Sequence, residues 1–247
     1  DYLEAHSENG LVTSDNPGQW CLGDWCTPDE IRIPEPLVNN YFYIKSMREV
    51  LAICDILGDH ARDAELGRRI AERSDALMRN YFEPATGGFD TGIFGTDIVA
   101  RVLFERGCAD TAYALLASDK PVSFDRFRQL GATTLWEYWP LGGERSHSHP
   151  MFGGPVRYLF EYLLGIGQRG AGWEQLIIKP RLIDGLSYVR GSILTPHGRV
   201  SVRINRIGGE YAIDVNIDDA RGGEFELDGI RRKLNQGMTH IIVGTEA

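Results

Sequence analysis

From Glu35 to Leu57 the apolar residues Leu37, Tyr41, Ile44, Met47, Leu51 and Cys54 recur every three or four positions, the period of one helix face, and Gly58 supplies a stop. A second helical pattern follows between Asp59 and Phe82. Leu66, Ile70, Leu77 and Tyr81 form its inner stripe, and Arg62, Arg68, Arg69 and Arg73 read as its wet side. The pair predicts an antiparallel helical hairpin. A Gly-rich loop, Pro84 to Gly92, leads to a shorter helical pair, Thr96 to Glu105 and Asp110 to Ser118, around Gly107. The stretch from Asp119 to Leu130 reads as a loop. Pro155 to Ile166, with Val156, Leu159, Phe160 and Leu163 on one face, reads as the last helix.

At Gly170 the period changes from helical to two. Leu176-Ile-Ile, Val200 to Ile204 and Tyr211 to Ile217 alternate as half-buried strands, and Pro196-His-Gly and Gly208-Gly are hairpin turn signals. The expected fold is therefore mainly α followed by all-β. Residues 1–169 form paired helices whose loops gather at one end, and 170–247 form an antiparallel β-sandwich with a thin core.

Composition narrows the class. Hydrophobic residues make up 43% of the 247 and charged residues 25%, which excludes disorder as the main state. With 35 acidic against 26 basic residues and no basic run, the net charge of -9 argues against nucleic acid as a partner. No apolar stretch approaches the roughly 20 residues that span a bilayer, so a soluble chain is expected, without a membrane partner. Cys54 and Cys108 fall in helical patterns where a small buried thiol is the plain reading. Cys21 and Cys26 read as free thiols, with a bridge or metal site as the alternative.

Candidate chemistry concentrates in Gly131-Ala-Thr-Thr-Leu-Trp136-Glu137-Tyr-Trp139 and, ten residues on, His149-Pro-Met-Phe-Gly-Gly. A pyranose offers C–H faces to aromatic rings and hydroxyls to polar groups, and its cleavage needs carboxyls for proton transfer. The competing reading makes Trp136 and Trp139 core anchors and Glu137 a solvated carboxylate. The polar run Glu144-Arg-Ser-His147-Ser-His149 beside these aromatics favours a site. Its two histidines with Glu144 make a weak metal signal, so no metal or cofactor is expected, and His147 reads as a surface histidine.

A second carboxylate, Asp24, lies between indoles in Gln19-Trp20-Cys-Leu-Gly-Asp24-Trp25, where bracing of a loop or helix and substrate contact are both open. In Thr91-Gly-Ile-Phe-Gly-Thr96, Thr96 and Asp97 read as caps of the following helix.

In order, Gly-Asp24-Trp25, Thr91-Gly-Ile-Phe-Gly-Thr, Gly131 to Trp139 and Ser146-His-Ser-His149-Pro-Met-Phe-Gly resemble the C-terminal half of bacterial α-L-rhamnosidases of glycoside hydrolase family 78. The Gly172-Trp-Glu-Gln-Leu-Ile-Ile-Lys-Pro stretch looks like the start of that family's C-terminal β-sandwich. The resemblance covers nearly the whole chain, and Thr-Thr-Leu-Trp-Glu is its most specific element. It implies part of an (α/α)6 toroid, a sugar pocket at one end, a rhamnose-containing glycoside as partner, and cleavage of terminal α-L-rhamnosides with inversion. The compartment stays open; for a soluble chain the bacterial cytoplasm or periplasm is the expectation.

On that pattern Glu137 matches the general base and His149 a sugar-contacting histidine. Trp136 and Trp139 would line the pocket, with Asp24 and Trp25 in a neighbouring loop. The family's general acid sits in an Arg-Asp-Glu-Arg-type motif that these residues lack, and five or six helices are readable where a closed toroid needs twelve. The expectation is a fragment completed by the missing N-terminal part of the parent polypeptide or by another chain, inactive alone, with exposed apolar helix faces. The alternative is a non-catalytic carbohydrate-binding or scaffold fragment that pairs with another chain.

Overall fold

A computed structural model describes residues 2–12, 23–27, 35–81, 89, 91–140 and 145–244, with backbone only at 35, 36 and 77–81. Its helices are α1 (Tyr2–Ala5), α2 (Glu35–Leu57), α3 (Asp63–Tyr81), α4 (Ile93–Glu105), α5 (Ala109–Leu116) and α6 (Phe124–Gln129), with two-residue strands β1 (Ser7–Glu8) and β2 (Leu11–Val12). Contacts divide the chain into two units, residues 1–99 with 115–152, and 100–114 with 153–247.

In the first unit α2 and α3 form the expected hairpin. Leu37, Ile44 and Met47 of α2 and Leu66 of α3 are buried together, with Tyr43, Leu51 and Ile70 packed against them. Gly58 ends α2 in the left-handed region, φ 68°, where a Cβ is strained. The inner stripe residues Leu77 and Tyr81 have side chains outside the described set.

Arg73 departs from the expected wet side. It is only 4% exposed, donating to Gly10 O (3.1 Å), Asn40 Oδ1 (3.2 Å) and Ser7 Oγ (3.0 Å), with Glu4 at 3.0 Å and its guanidinium over Tyr43. The β1–β2 turn folds over α3 and brings acceptors that a helix considered alone does not have. A buried guanidinium is tolerable only when its fork of donors is met in this way. On α2 the residues Phe42, Val50, Ile53, Ile56 and Leu57 leave an exposed apolar stripe, with Leu57 74% accessible.

Two further expectations change. The stretch read as a loop contains α6, with Ser123 at its N-cap accepting from the Arg126 N–H at 3.3 Å; six residues are too short for periodicity to reveal. Cys54 is only half-buried and Cys108 is exposed, against the buried-thiol reading; Cys26 is free, and Cys21 lies outside the described residues.

In the second unit the expected helix at 155–166 shortens to α7 (Val156–Tyr158) and a π turn over Leu159–Leu163, whose signature bond runs from Leu164 N–H to Leu159 O at 3.1 Å. The extra residue rotates the buried face, so Tyr158, Leu163 and Leu164 are inside and Val156 is exposed.

The strands are β3 (Ile166–Arg169), β4 (Gln175–Ile178), β5 (Tyr188–Thr195), β6 (Gly198–Ile207), β7 (Glu210–Ile217), β8 (Gly223–Leu227), β9 (Ile230–Leu234) and β10 (Gly237–Gly244). They form two open sheets, β3-β4-β8-β9 and β10-β7-β6-β5. Both hairpin turns fall where the sequence puts them, at Pro196-His197 between β5 and β6 and at Gly208-Gly209 between β6 and β7.

One core joins the inner faces. Ile166, Ile178, Phe225 and Leu234 of one sheet pack with Val202, Ile213, Val215 and Ile241 of the other, a sandwich whose alternating pattern is the period of two. Pairing is antiparallel except β4 with β8, which are parallel because the chain builds three strands of the other sheet before returning beside β4. At Gly165, φ 70°, a Cβ would stand 2.1 Å from Pro180 N, so only glycine lets the chain pass into β3.

Candidate active site

The site begins with the start of α4. A helix start leaves its first N–H groups without intrahelical acceptors. Here all of them are met by a segment distant in sequence. Asp24 Oδ2 accepts from Gly92 N–H at 2.7 Å, Asp24 Oδ1 accepts from Phe94 and Gly95 N–H at 3.0 Å each, and Trp25 O accepts from Ile93 N–H at 2.8 Å. Trp25 N–H donates to Oδ1 as well, at 3.0 Å.

Asp24 is thus buried, 1% exposed, with both oxygens committed to backbone donors, and its carboxylate faces the positive end of the helix dipole. Burial pushes its pKa up, opposed by those donors. Of the two roles left open for Asp24, bracing is the one its contacts display. The cap is not Thr96 or Asp97, as the sequence suggested: α4 begins three residues earlier, and the buried Thr96 hydroxyl bonds Thr91 Oγ1 at 2.8 Å.

Close approach makes Gly92 irreplaceable, since a Cβ there would lie 1.8 Å from Trp25 O. Cys26, the residue after Trp25, sits at φ 57°, a strained conformation for a non-glycine, which turns the chain after the knot. The result holds the Trp25 ring at the surface, 45% exposed.

The Trp136–Trp139 segment has no helix or strand of its own. Two stretches pair instead: Glu137 N–H donates to Ser146 O at 2.9 Å, His149 N–H to Leu135 O at 2.8 Å, and the Thr134 hydroxyl to His147 O. Trp139 anchors it. Its indole is 2% exposed, lies parallel to Phe89 and Phe127 at 5.6 and 5.5 Å, and donates from Nε1 to Thr91 O at 2.6 Å. Trp139 is therefore a core anchor that ties this segment to the Thr91-Gly92 stretch that Asp24 holds at the start of α4. Trp136, one turn of chain away, is half-buried and stacks on the His147 ring at 4.0 Å, so His147 is a ring partner and not a bare surface histidine.

Between these rings stands Glu137, its side chain 25% exposed. Oε2 accepts from Ser146 N–H at 3.3 Å, while Oε1 has Arg145 Nη1 at 3.8 Å, beyond hydrogen-bond reach. One oxygen is held, and the other accepts no hydrogen bond from a described residue. The Arg145 guanidinium also lies 5.6 Å from the Trp25 ring centre and 3.5 Å from Cys26 Sγ, linking the knot to the carboxylate. Burial raises the Cys26 thiol, against the pull of Arg145.

His149 is half-buried, and its Nδ1 is a buried nitrogen without a hydrogen-bond partner among the described residues. Sequence reasoning missed Arg145 and Gly92, whose roles come from chain crossings 119 and 68 residues apart; a glycine in a run that also caps a helix was the available signal.

Beside Asp24, Gln19 and Trp20 lie outside the described residues, as do Glu144 and residues 84–88 and 90 of the Gly-rich loop. Among the described residues no group of three or more His, Cys, Asp or Glu side chains is placed to hold a metal. No helix among them is long and apolar enough to cross a membrane.

Residues 80–163 match the model of the bacterial alpha-L-rhamnosidase six-hairpin glycosidase domain, and 165–220 match that of the bacterial alpha-L-rhamnosidase C-terminal domain. An alpha-L-rhamnosidase of Alteromonas sp. (strain LOR) is 31% identical over 144 residues, 55% of this chain and 16% of that protein. One from Streptomyces avermitilis is 29% identical over 161 residues, 62% and 15% respectively. The chain thus spans about a sixth of the length of these relatives.

Among solved structures, the Streptomyces avermitilis alpha-L-rhamnosidase complexed with L-rhamnose superposes with a TM-score of 0.75 at 20% identity, over 98% of this chain and 29% of that one. The Dictyoglumus thermophilum alpha-L-rhamnosidase gives 0.74 at 18%, over 92% and 34%. The helical region followed by a β-sandwich is the fold these share. With the two domain models matched in succession, the chain belongs to the bacterial alpha-L-rhamnosidase family.

Proposed function

We propose that this chain supplies the base side of a glycoside hydrolase active site that cleaves terminal α-L-rhamnosides with inversion, with Glu137 as general base. The observation that carries the reading is the setting of Glu137: a partly exposed carboxylate, one oxygen fixed by Ser146 N–H and the other open, between the half-buried Trp136 and the Arg145–Trp25 pair. Partial enclosure among rings suits a pyranose face, and the open Oε1 suits a water molecule.

In the reaction, Oε1 takes a proton from that water as its oxygen attacks the anomeric carbon. The glycosidic C–O bond breaks with its electron pair leaving on the departing oxygen, which a carboxylic acid on the opposite side protonates. Inversion places the two carboxyls roughly 6.5–9.5 Å apart, leaving room for the water. Asp24 does not serve as that acid, because both its oxygens hold the start of α4. The acid comes from sequence outside this chain. Trp25 and Trp136 present ring surface to the sugar, His149 contacts a hydroxyl, and Asp24 and Trp139 position the segments that carry them. The exposed stripe of α2 is covered by further helices of the same polypeptide, in keeping with relatives about six times longer.

Proton NMR of the first sugar released from an aryl α-L-rhamnoside by the intact polypeptide tests this reading. β-L-rhamnose appearing first is the expected outcome. α-L-rhamnose first would replace inversion with retention and Glu137 as base with Glu137 as nucleophile.

A further inference from the structure

The outward face of the β10-β7-β6-β5 sheet carries a polar concavity, about 340 Å³ in volume and remote in sequence from Glu137. Its floor is set by register. Across one row stand Ser192, Ser201, Asn216 and Met238, and across the next Arg190, Arg203, Asp214 and His240. Arg190 and Arg203 are therefore directly opposite each other on neighbouring strands, and both are exposed.

Like charges in that relation destabilise a sheet. The adjacent acid does not relieve them. Asp214 is committed to His240, Oδ1 to Nδ1 at 2.6 Å, and neither arginine makes a hydrogen bond or ion pair with any described residue. In a chain of net charge -9, two exposed guanidiniums set side by side, with the single carboxylate of Asp214 in the same lining, leave this concavity with an excess of positive charge.

We infer that this face binds an acidic sugar chain, a polyuronate, through one carboxylate held between Arg190 and Arg203. Planar guanidinium forks match the two oxygens of a carboxylate and gain more from it than an ammonium would. Ser201 and Asn216 offer partners to ring hydroxyls, and Met238, 68% exposed, offers an apolar surface to a sugar C–H face. The carboxylate rests on the arginine pair alone; the sugar part rests on the hydrolase reading above. Such a face would hold an acidic polysaccharide near the enzyme that trims its neutral side residues.

Calorimetric titration of the chain with trigalacturonate, and with its methyl ester as the uncharged counterpart, tests the inference without any turnover. The acid form should bind, the ester about tenfold or more weaker, and the difference should shrink at high salt. Arg190→Gln combined with Arg203→Gln should remove the preference for the acid. The unliganded double variant should melt no lower than the parent, since a repulsion has been removed.

Equal affinity for acid and ester, no binding of the acid, or full binding by a folded double variant would each overturn the assignment. So would an inorganic sulfate that binds as tightly as the trisaccharide, which marks a simple anion site. Loss of the hydrolase reading leaves these binding outcomes readable, and their failure leaves that reading intact.

Discussion

Replacing Asp24 is the sharpest test of how the site is built. Asp24→Ala strips acceptors from four backbone N–H groups, those of Trp25, Gly92, Phe94 and Gly95. The bonds of Gly92 and Gly95 are buried, and the other two are partly so. Loss of an N-cap alone costs about 1–2 kcal/mol. Each buried donor left unpaired adds roughly 1–3 kcal/mol, less where water reaches it. The sum expected for Asp24→Ala is on the order of 3–5 kcal/mol.

Asp24→Asn separates the parts. Its amide oxygen can keep the three bonds that Oδ1 now accepts, but its NH2 would face the Gly92 N–H in place of Oδ2. The cost should then be about 1–3 kcal/mol. Urea unfolding followed by tryptophan emission, with slopes compared to confirm an unchanged transition, reads both variants. If Asp24→Ala cost under roughly 0.5 kcal/mol, or if Asn were as damaging as Ala, the four-donor knot would not be what holds these segments.

Other outcomes follow from the same contacts. Gly92→Ala places a Cβ against Trp25 O and should destabilise by about 1–3 kcal/mol or more, while Ala in place of the open, exposed Gly67 of α3 should stabilise slightly; chemical denaturation compares the two. Glu226, only 7% exposed, accepts from Lys179 Nζ and Arg169 Nη2 at 3.0 Å each, and these cations hold its carboxyl below the ordinary glutamate value of about 4.5. Because the folded pKa is the lower one, its contribution is present above pH 4.5 and fades as pH falls through the folded value. Thermal melts should therefore show Glu226→Gln less stable than the parent at pH 7 and converging with it in acid. A gap that persists unchanged at low pH would deny the ionic origin. On α2, Ile53→Glu should reduce self-association of the isolated chain in sedimentation runs, and an unchanged sedimentation profile would show that its exposed stripe is not sticky.

Legibility varied with how local the cause was. The α2–α3 hairpin and the β6 and β7 strands could be read because period and turn residues lie within the elements themselves, as at Gly58 and Gly208-Gly209. Six-residue α6 is too short to show a period, and the π turn at Leu159–Leu163 shifts one. Arg73 looked like a surface residue because its acceptors come from the β1–β2 turn, more than 60 residues away. In the site, the Trp-Glu-Tyr-Trp motif singled out Glu137, but the same motif could not tell a ring facing outward from a ring in the core. Trp139 went inside because Phe89, Phe127 and Phe152 converge on it, and Trp136 stayed near the surface with His147. For Asp24 the sequence left bracing and substrate contact both open, and the helix it braces begins 69 positions later, at Ile93, a relation visible only once the chain is folded.

The central claim concerns Glu137, and turnover of an aryl α-L-rhamnoside by the intact polypeptide carrying Glu137→Gln addresses it most directly. The amide preserves size and the Ser146 bond but cannot accept the proton of water. A fall in kcat of about 10²–10⁴-fold, with substrate binding retained, is the predicted result. Near-normal turnover by a folded Glu137→Gln enzyme would contradict it and move the base elsewhere.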